Sequence, residues 1–334
     1  SEITPDTFEL TTKPLPSPIP AASVLVKTLY LSNDPAQRGW IQKDADDRRL
    51  YVKPIRAGEV MRSGAVGQVV ASTSSEWKEG ALVSCQPGWA EYAVFGEKEV
   101  QPVPEGLESP TLALSILGMT SMTAWFGLHE IGHIKASDTV VISGAAGATG
   151  SAAIQICKNV VGCKRVIGIA GGPEKCAYVK SLGADECVDY KSPTFEQDLI
   201  DATPDYAEVY YDNVGGSILN AMLPRVKRWG HVIACGAIEA YNDVNKNILT
   251  NWFEVISNRI NIRGFLVFDF PEKIPECKAA LAKAYKEGHL KATGKHETVR
   301  EVPFEKIPDV WQTLFVGANT GKLITKLSEG ESKL

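Results

Sequence analysis

The sequence predicts an α/β fold, a doubly wound parallel sheet joined to a smaller β-rich domain. Three observations carry that prediction. From about residue 111, strand-like and helix-like runs alternate, the pattern of a parallel sheet covered by helices on both faces. Residues 1–110 instead hold short alternating runs split by glycine-containing turns, as in a compact barrel-like domain. Between a strand-like and a helix-like run, residues 139–150 carry a glycine turn of the kind that can cradle a dinucleotide.

The elements follow in order. Pro14, Pro16, Pro18 and Pro20 punctuate an extended opening that cannot be helix. Val24–Leu31 alternates as a strand, and Gly64–Ala71, Ala81–Cys85 and Trp89–Phe95 read as further short strands. Thr120–Ile131 is apolar at helical spacing and closes on Gly132. The β-branched run Thr139–Ile142 suits a buried strand, and Ser151–Lys158 has the composition of a helix. Strands are then expected at Arg165–Ala170, Glu186–Tyr190, Glu208–Asp212 and His231–Cys235. Helices at Glu174–Leu182, Phe195–Ala202 and Ser217–Val226 separate them. A helix over Pro308–Phe315 and a strand over Lys322–Leu327 close the chain, with no internal repeat.

Within the glycine turn, residues 145–150 spell A-x-G-x-x-G, the dinucleotide fingerprint with alanine at its first glycine. The motif combines a tight turn, a bare backbone position facing a pyrophosphate and a small residue for close helix–strand packing. The helix start that follows offers free N–H groups to the phosphates. In NAD sites an acid about twenty positions past the turn bonds the ribose 2′-hydroxyl. Here the second strand ends at Ala170, Gly171 and Gly172 without an acid, and Lys175 follows. That combination favours NADP(H), with Tyr190 placed to stack or donate beside a 2′-phosphate. The plainer alternative makes Lys175 a solvated helix residue and Tyr190 a rim aromatic. Asn213, at the end of the fourth strand, is either a polar cofactor contact or a simple turn former.

Composition sets the outer bounds. A chain of 334 residues has room for about two domains. With 44% hydrophobic and 22% charged residues it reads as an ordinary soluble globular protein. A net charge of −5 with both signs scattered gives no reason to expect nucleic acid or anionic membrane as a partner. Seven cysteines without a C-x-x-C pair, and no N-x-S/T sequon, favour a reducing, cytoplasmic setting. The uncharged stretches 109–128 and 139–157 hold glycine, proline or hydroxyl residues and are not expected to span a membrane. The N-terminus shows no secretion signal, and it begins at Ser1 rather than methionine, so further residues are expected ahead of it.

Metal sites are not expected. His129 and His133 spell H-E-x-x-H, but Gly132 lies inside the motif and the second histidine should fall past the helix end. Two surface histidines are the expectation. A catalytic zinc of the alcohol dehydrogenase kind would draw Cys, His and Glu ligands largely from the first domain. Residues 1–128 contain Cys85 and no histidine.

Seven ordered stretches carry a resemblance: Leu31–Arg38, Gly64–Val70, Leu117–Leu128, Ser143–Gly150, Asp212–Gly216, Cys235–Asn242 and Asn319–Lys322. Together the chain resembles the medium-chain dehydrogenase/reductase superfamily. Within it the chain resembles the zinc-free branch of leukotriene B4 dehydrogenase/prostaglandin reductases and alkenal double-bond reductases. The likeness covers nearly the whole chain, with only the family's first strand missing. It implies a GroES-like β-barrel catalytic domain built from residues 1–118 and 301–334, with a Rossmann NADP-binding domain, 119–300, inserted between them. It also implies NADPH in the cleft and a homodimer. By matching motif positions, the implied cofactor contacts are Ala145, Gly147, Ala148, Gly171, Lys175, Tyr190, Asn213, Gly236, Ala237, Ile238, Tyr241 and Asn319. Met119 and Thr123 should lie near the nicotinamide, and Phe265 and Val267 should line the cleft from the last Rossmann strand.

The implied reaction is reduction of the C=C bond of an α,β-unsaturated aldehyde or ketone by hydride transfer to the β-carbon, without metal. Charge building on the carbonyl oxygen then needs a hydrogen-bond donor, and the α-carbon needs a proton from a tyrosine or from water. Tyr241 is the first candidate donor and Tyr51 the second, with an ordinary loop aromatic the alternative for Tyr51. Some relatives carry a tyrosine where this chain reads Phe268–Pro271, and their Met-Pro is Met119-Thr120 here. Two other readings stay open: an NADPH quinone oxidoreductase, and a non-catalytic NADPH-binding redox sensor or interaction protein.

Overall fold

The computed structural model describes residues 3–42, 46, 48–292 and 294–328, so Ser1 lies outside the described residues. The chain divides into two units, residues 1–114 with 298–334, and residues 115–297.

In the first unit, strand β1 (Ser23–Ser32) is the hub because its backbone is paired along both edges while its apolar residues face the core. One edge pairs antiparallel with β2 (Ala65–Ser72), which continues to β3 (Leu82–Cys85). After β1 comes the single helical turn α1 (Gln37–Trp40). The other edge of β1 takes β4 (Tyr92–Gly96) over its first half, and β5 (Gln101–Pro102) extends the sheet beyond β3. The strand expected from Trp89 therefore starts later, because the Trp89 N–H turns to Met61 O at 2.7 Å and Ala90 N–H to Gly88 O at 3.0 Å. Val24, Val26, Leu31, Ala65, Val69 and Val83 supply the buried face.

The second unit opens with α2 (Met119–Phe126), which passes into a wider π turn at Gly127–Ile131 instead of running on as α-helix. The Gly132 N–H closes that turn on Gly127 O at 2.9 Å. Then come β6 (Thr139–Ser143) and α3 (Ala148–Gln155), the latter extended by a π turn and stopped at Gly162, φ 75°. The alternation continues with β7 (Arg165–Ala170), α4 (Pro173–Ser181), β8 (Glu186–Asp189) and α5 (Phe195–Ala202). It goes on through β9 (Ala207–Asp212), α6 (Gly216–Met222) and β10 (Val226–Ala234). The helix expected to reach Val226 stops at Met222, since Pro224 forces a tight turn, and residues 226–230 belong to β10. Helix α7 (Phe253–Ser257), strand β11 (Asn261–Gly264) and helix α8 (Ile274–Lys286) complete the unit.

The strand order is β11-β10-β9-β6-β7-β8 and every adjacent pair is parallel. Chain direction across the sheet reverses between β6 and β9, the switch point at which a doubly wound sheet receives its ligand. Val141, Ile167, Ile169, Tyr210 and Val232 are buried along these strands against the flanking helices.

The chain then returns to the first unit through β12 (Glu297–Val302), α9 (Ile307–Gln312) and β13 (Lys322–Leu327). Strand β13 pairs with the second half of β1, Leu31 opposite Thr325. The Lys322 ammonium, 2% exposed, bonds Asn33 O at 3.0 Å and the Asp34 carboxylate, and Trp311 Nε1 donates to Asp34 O at 3.2 Å. Among the described residues, no helix is long and apolar enough to cross a membrane.

Candidate functional site

Each strand of the parallel sheet delivers a candidate residue at its carboxyl end. After β6 the chain turns at Gly144, φ 58°, and Gly147 caps α3 with its N–H on Gly144 O at 2.9 Å. Gly150 is the close-packing member of the fingerprint: a Cβ there would stand 2.3 Å from Gly144 O and 2.7 Å from Ala145 Cα. Ala145 is fully buried and its N–H donates to Ile169 O at 3.1 Å. Gly147 and Ala148 sit at the partly open start of α3, where unsatisfied helix N–H groups attract phosphate.

Asp212, at the end of β9, holds the switch point together. Its Oδ1 lies within 3.1 Å of four donors: Ser143 Oγ, Tyr210 Oη, Val214 N and Gly215 N. The residue is 2% exposed, and burial raises its pKa against the lowering effect of those bonds. Asn213 is locked by the same frame, its Nδ2 donating to Ser143 O at 2.7 Å and its N–H to Ser143 Oγ at 3.0 Å. Neither Ser143 nor Asp212 was singled out by its chemistry in the sequence, since they lie 69 residues apart and meet only through β6–β9 pairing.

At the tips of β7 and β8, Tyr190 packs over Gly171. Asp189 Oδ1 accepts the N–H of Gly172 at 2.7 Å and of Lys191 at 2.9 Å. Lys175 stands in the first turn of α4, half-buried, and burial followed by the charge of Lys191 lowers its pKa. Lys191 is a nearby cation that the sequence reading did not single out. Its signal was its place directly after Tyr190.

The loop after β10 is tied to that after β9, with Gly236 N–H on Asp212 O at 3.0 Å and Ile238 N–H on Asn213 O at 3.5 Å. Tyr241 folds back so that its hydroxyl accepts the Ala237 N–H at 3.3 Å. On α2, Met119 is 41% exposed and its carbonyl accepts the Thr123 hydroxyl at 2.9 Å. Thr123 O in turn accepts Tyr211 Oη at 3.0 Å, linking α2 to the sheet. Phe265 and Val267 lie just past β11, not within it, because the strand ends at Gly264 and the chain tightens into a turn at Val267–Asp269.

Two candidates belong to the first unit. Trp40 Nε1 donates to the Tyr51 hydroxyl at 2.8 Å, and Asn319 Nδ2 donates to Gly321 O at 2.8 Å ahead of β13. Between Trp40 and Tyr51, residues 43–45 and 47 lie outside the described residues.

The H-E-x-x-H histidines do not share a helix face. His133 lies beyond the π turn in a left-handed conformation, φ 47°. His129, expected at the surface, is instead partly buried, stacked on Trp125 at 4.2 Å with Nδ1 bonded to Trp125 O at 2.9 Å. Burial lowers its pKa. Among the described residues, no three His, Cys, Asp or Glu side chains are grouped to hold a metal ion.

Residues 1–103 match the family described as N-terminal domain of oxidoreductase, and residues 148–284 that described as zinc-binding dehydrogenase. Prostaglandin reductase 1 of Mus musculus is 35% identical over 96% of this chain and 93% of its own length. The NADPH-dependent curcumin reductase of Escherichia coli is 30% identical over 97% of this chain and 93% of its own. The crystal structure of CurA from Vibrio vulnificus in complex with NADPH matches with a TM-score of 0.86 at 33% identity, covering 98% of this chain and 96% of that one.

Proposed function

Because the chain belongs to the zinc-free medium-chain dehydrogenase/reductase family, in its prostaglandin reductase and alkenal reductase branch, we propose that it is an NADPH-dependent reductase of the C=C bond in α,β-unsaturated aldehydes and ketones. One observation carries the reading. Whole-chain kinship with an NADPH-dependent curcumin reductase coincides with a nucleotide edge whose second strand tip bears no acid and leads to Lys175.

The residues fit NADPH. The bare backbone at Gly147 lets a pyrophosphate approach and the first N–H groups of α3 can receive it, while Asp212 fixes the neighbouring turn by holding its own N–H groups. Tyr190 and Lys175 offer an aromatic face and a cation where NADP(H) differs from NAD(H). Bound there, NADPH supplies the hydride that goes to the substrate's β-carbon.

This chain's part is to orient the reactants and handle the proton. Tyr241 is the proposed donor to the carbonyl oxygen. Accepting the Ala237 N–H at 3.3 Å fixes its oxygen beside the loop after β10. Tyr51, held by Trp40 Nε1, is the second candidate. Met119, Thr123, Phe265 and Val267 are proposed as the apolar wall near the reacting carbon, and Asn319 keeps the cofactor role its motif position implies. We place the protein in the cytoplasm as a homodimer, in keeping with seven unbridged cysteines and the family resemblance. Burial holds six of the seven thiols above their ordinary pKa, and Cys163, lowered by its hydrogen bond with Cys157, is 2% exposed; this weighs against a redox sensor because a reactive thiolate must also be accessible.

The test is loss of the reduced-nicotinamide absorbance with NADPH and with NADH, on a 2-alkenal, an aryl enone and a quinone, with and without chelator. Rapid chelator-insensitive oxidation of NADPH on the enal or enone is expected. Turnover confined to quinones would move the assignment to a quinone reductase, and inhibition by chelator would overturn the zinc-free reaction.

A further inference from the structure

A carboxylate does stand beside the acid-free tip of β7, on the neighbouring strand. Asp189 pairs in register with Ala170, the last residue of β7. An acid there could have taken the ribose hydroxyls, as in NAD sites. Its Oδ1 instead accepts two backbone N–H groups, Gly172 at 2.7 Å and Lys191 at 2.9 Å. One oxygen thus staples the loop after β7 to the loop after β8. Hydrogen bonds of this charge-assisted kind are stronger than neutral ones and hold geometry accordingly.

The staple has a consequence for charge. Lys175 follows Gly172 by three residues, and Lys191 is itself the second residue stapled. Burial disfavours the Lys175 ammonium, and the charge of Lys191 acts in the same direction. Glu174, whose charge favours the Lys175 ammonium, also accepts from Lys295 Nζ at 2.8 Å. Two cations within electrostatic reach of each other suit a doubly charged anion. Tyr190 lies between the two lysines in the chain, its ring over Gly171.

We propose that Lys191 is a second cation for the 2′-phosphate of NADPH, and that Asp189 is the positioning residue that sets it beside Lys175. This rests on the NADPH reading above and deepens it. A 2′-phosphate carries close to two negative charges, which two ammonium groups match and one does not. The adenosine ribose of NADH has no such group, so the second lysine acts on the choice between cofactors and not on nicotinamide chemistry. Asp189 contributes without touching the cofactor: with its oxygen engaged by two N–H groups, it orders both tips.

The experiment is direct binding of NADPH and of NADH, by titration calorimetry without substrate, to the unaltered protein and to Lys191→Met, Lys191→Arg and Asp189→Ala. Losing one charge-assisted contact is expected to weaken NADPH by about tenfold in Lys191→Met, with NADH changed less than about twofold. Lys191→Arg should restore NADPH binding, and the salt dependence of NADPH affinity should be shallower in Lys191→Met than in the unaltered protein. Asp189→Ala should lower the NADPH:NADH preference in the same direction. Lys191→Met binding NADPH as tightly as the unaltered protein, or losing both cofactors equally, would overturn the clamp while leaving the NADPH reading intact. An unaltered protein that binds NADH as tightly as NADPH overturns the cofactor reading and the clamp with it.

Discussion

Tyr190 lies so close over Gly171 that a Cβ on Gly171 would stand 2.7 Å from the Tyr190 hydroxyl oxygen and 2.8 Å from the ring. The contact joins the ends of β7 and β8, and 43% of the tyrosine remains exposed to meet a ligand. Gly171→Ala should therefore displace the ring without unfolding the sheet. Loss of an aromatic stacking face of this size is expected to weaken NADPH by about tenfold. Calorimetric titration alongside an unchanged melting curve checks it, and an unaltered affinity would remove Tyr190 from the site.

Gly150→Ala should act on stability. The atoms in its way, Gly144 O and Ala145 Cα, belong to the backbone and cannot rotate aside. Overpacking of this kind costs about 1–3 kcal/mol. Denaturant unfolding of the two proteins measures it, and a cost near zero would mean that the fingerprint turn yields more readily than its geometry indicates.

Asp212→Ala should be more severe than Asp212→Asn. Alanine leaves the buried Tyr210 hydroxyl and the Val214 and Gly215 N–H groups without their acceptor, whereas asparagine keeps an oxygen in place. A loss of about 3 kcal/mol is expected for alanine. Equal unfolding midpoints for the two variants would contradict the frame described at the switch point.

Tyr241→Phe should reduce turnover on an enal by about a hundredfold, the usual scale for removing one donor to a developing oxyanion. A loss of NADPH affinity with turnover unchanged would leave Tyr241 only the cofactor contact its motif position implies. If Tyr51→Phe produces that loss and Tyr241→Phe does not, the two tyrosines exchange roles.

His296 makes stability depend on pH. It is 2% exposed, its Nδ1 meets no partner among the described residues, and burial lowers its pKa from 6.5 to about 4. Between those values the unfolded chain binds a proton that the folded chain refuses. The stability associated with the neutral ring is thus complete above 6.5 and is lost as pH falls toward 4, by about 3 kcal/mol in total. His296→Leu should flatten that part of the stability profile, and an unchanged slope would assign the acid sensitivity to other groups.

Some of this was legible in residue order because it depends on local pattern. The alternation of β-branched runs with helical segments announces a parallel sheet, and the A-x-G-x-x-G turn announces where a nucleotide meets it. The missing acid at Ala170–Gly172 and the lack of histidine through residue 128 are equally plain, since they are matters of which residues are present. The limits of helices were less so: π turns at Gly127–Ile131 and Ile156–Val161 reflect how helix ends fit against the sheet.

What tertiary structure alone decided is which polar groups meet. Ser143 reaches Asp212 only because β6 and β9 are neighbours across the switch point, and Asp189 reaches Gly172 only because β7 and β8 are in register. Each of these bonds starts from the last residue of one strand and reaches a segment apart from it in sequence, so no periodicity or spacing records it. The sequence by itself determined the layer architecture, through burial of periodic apolar residues; the sheet's strand order decided the site, by bringing six strand ends to one edge.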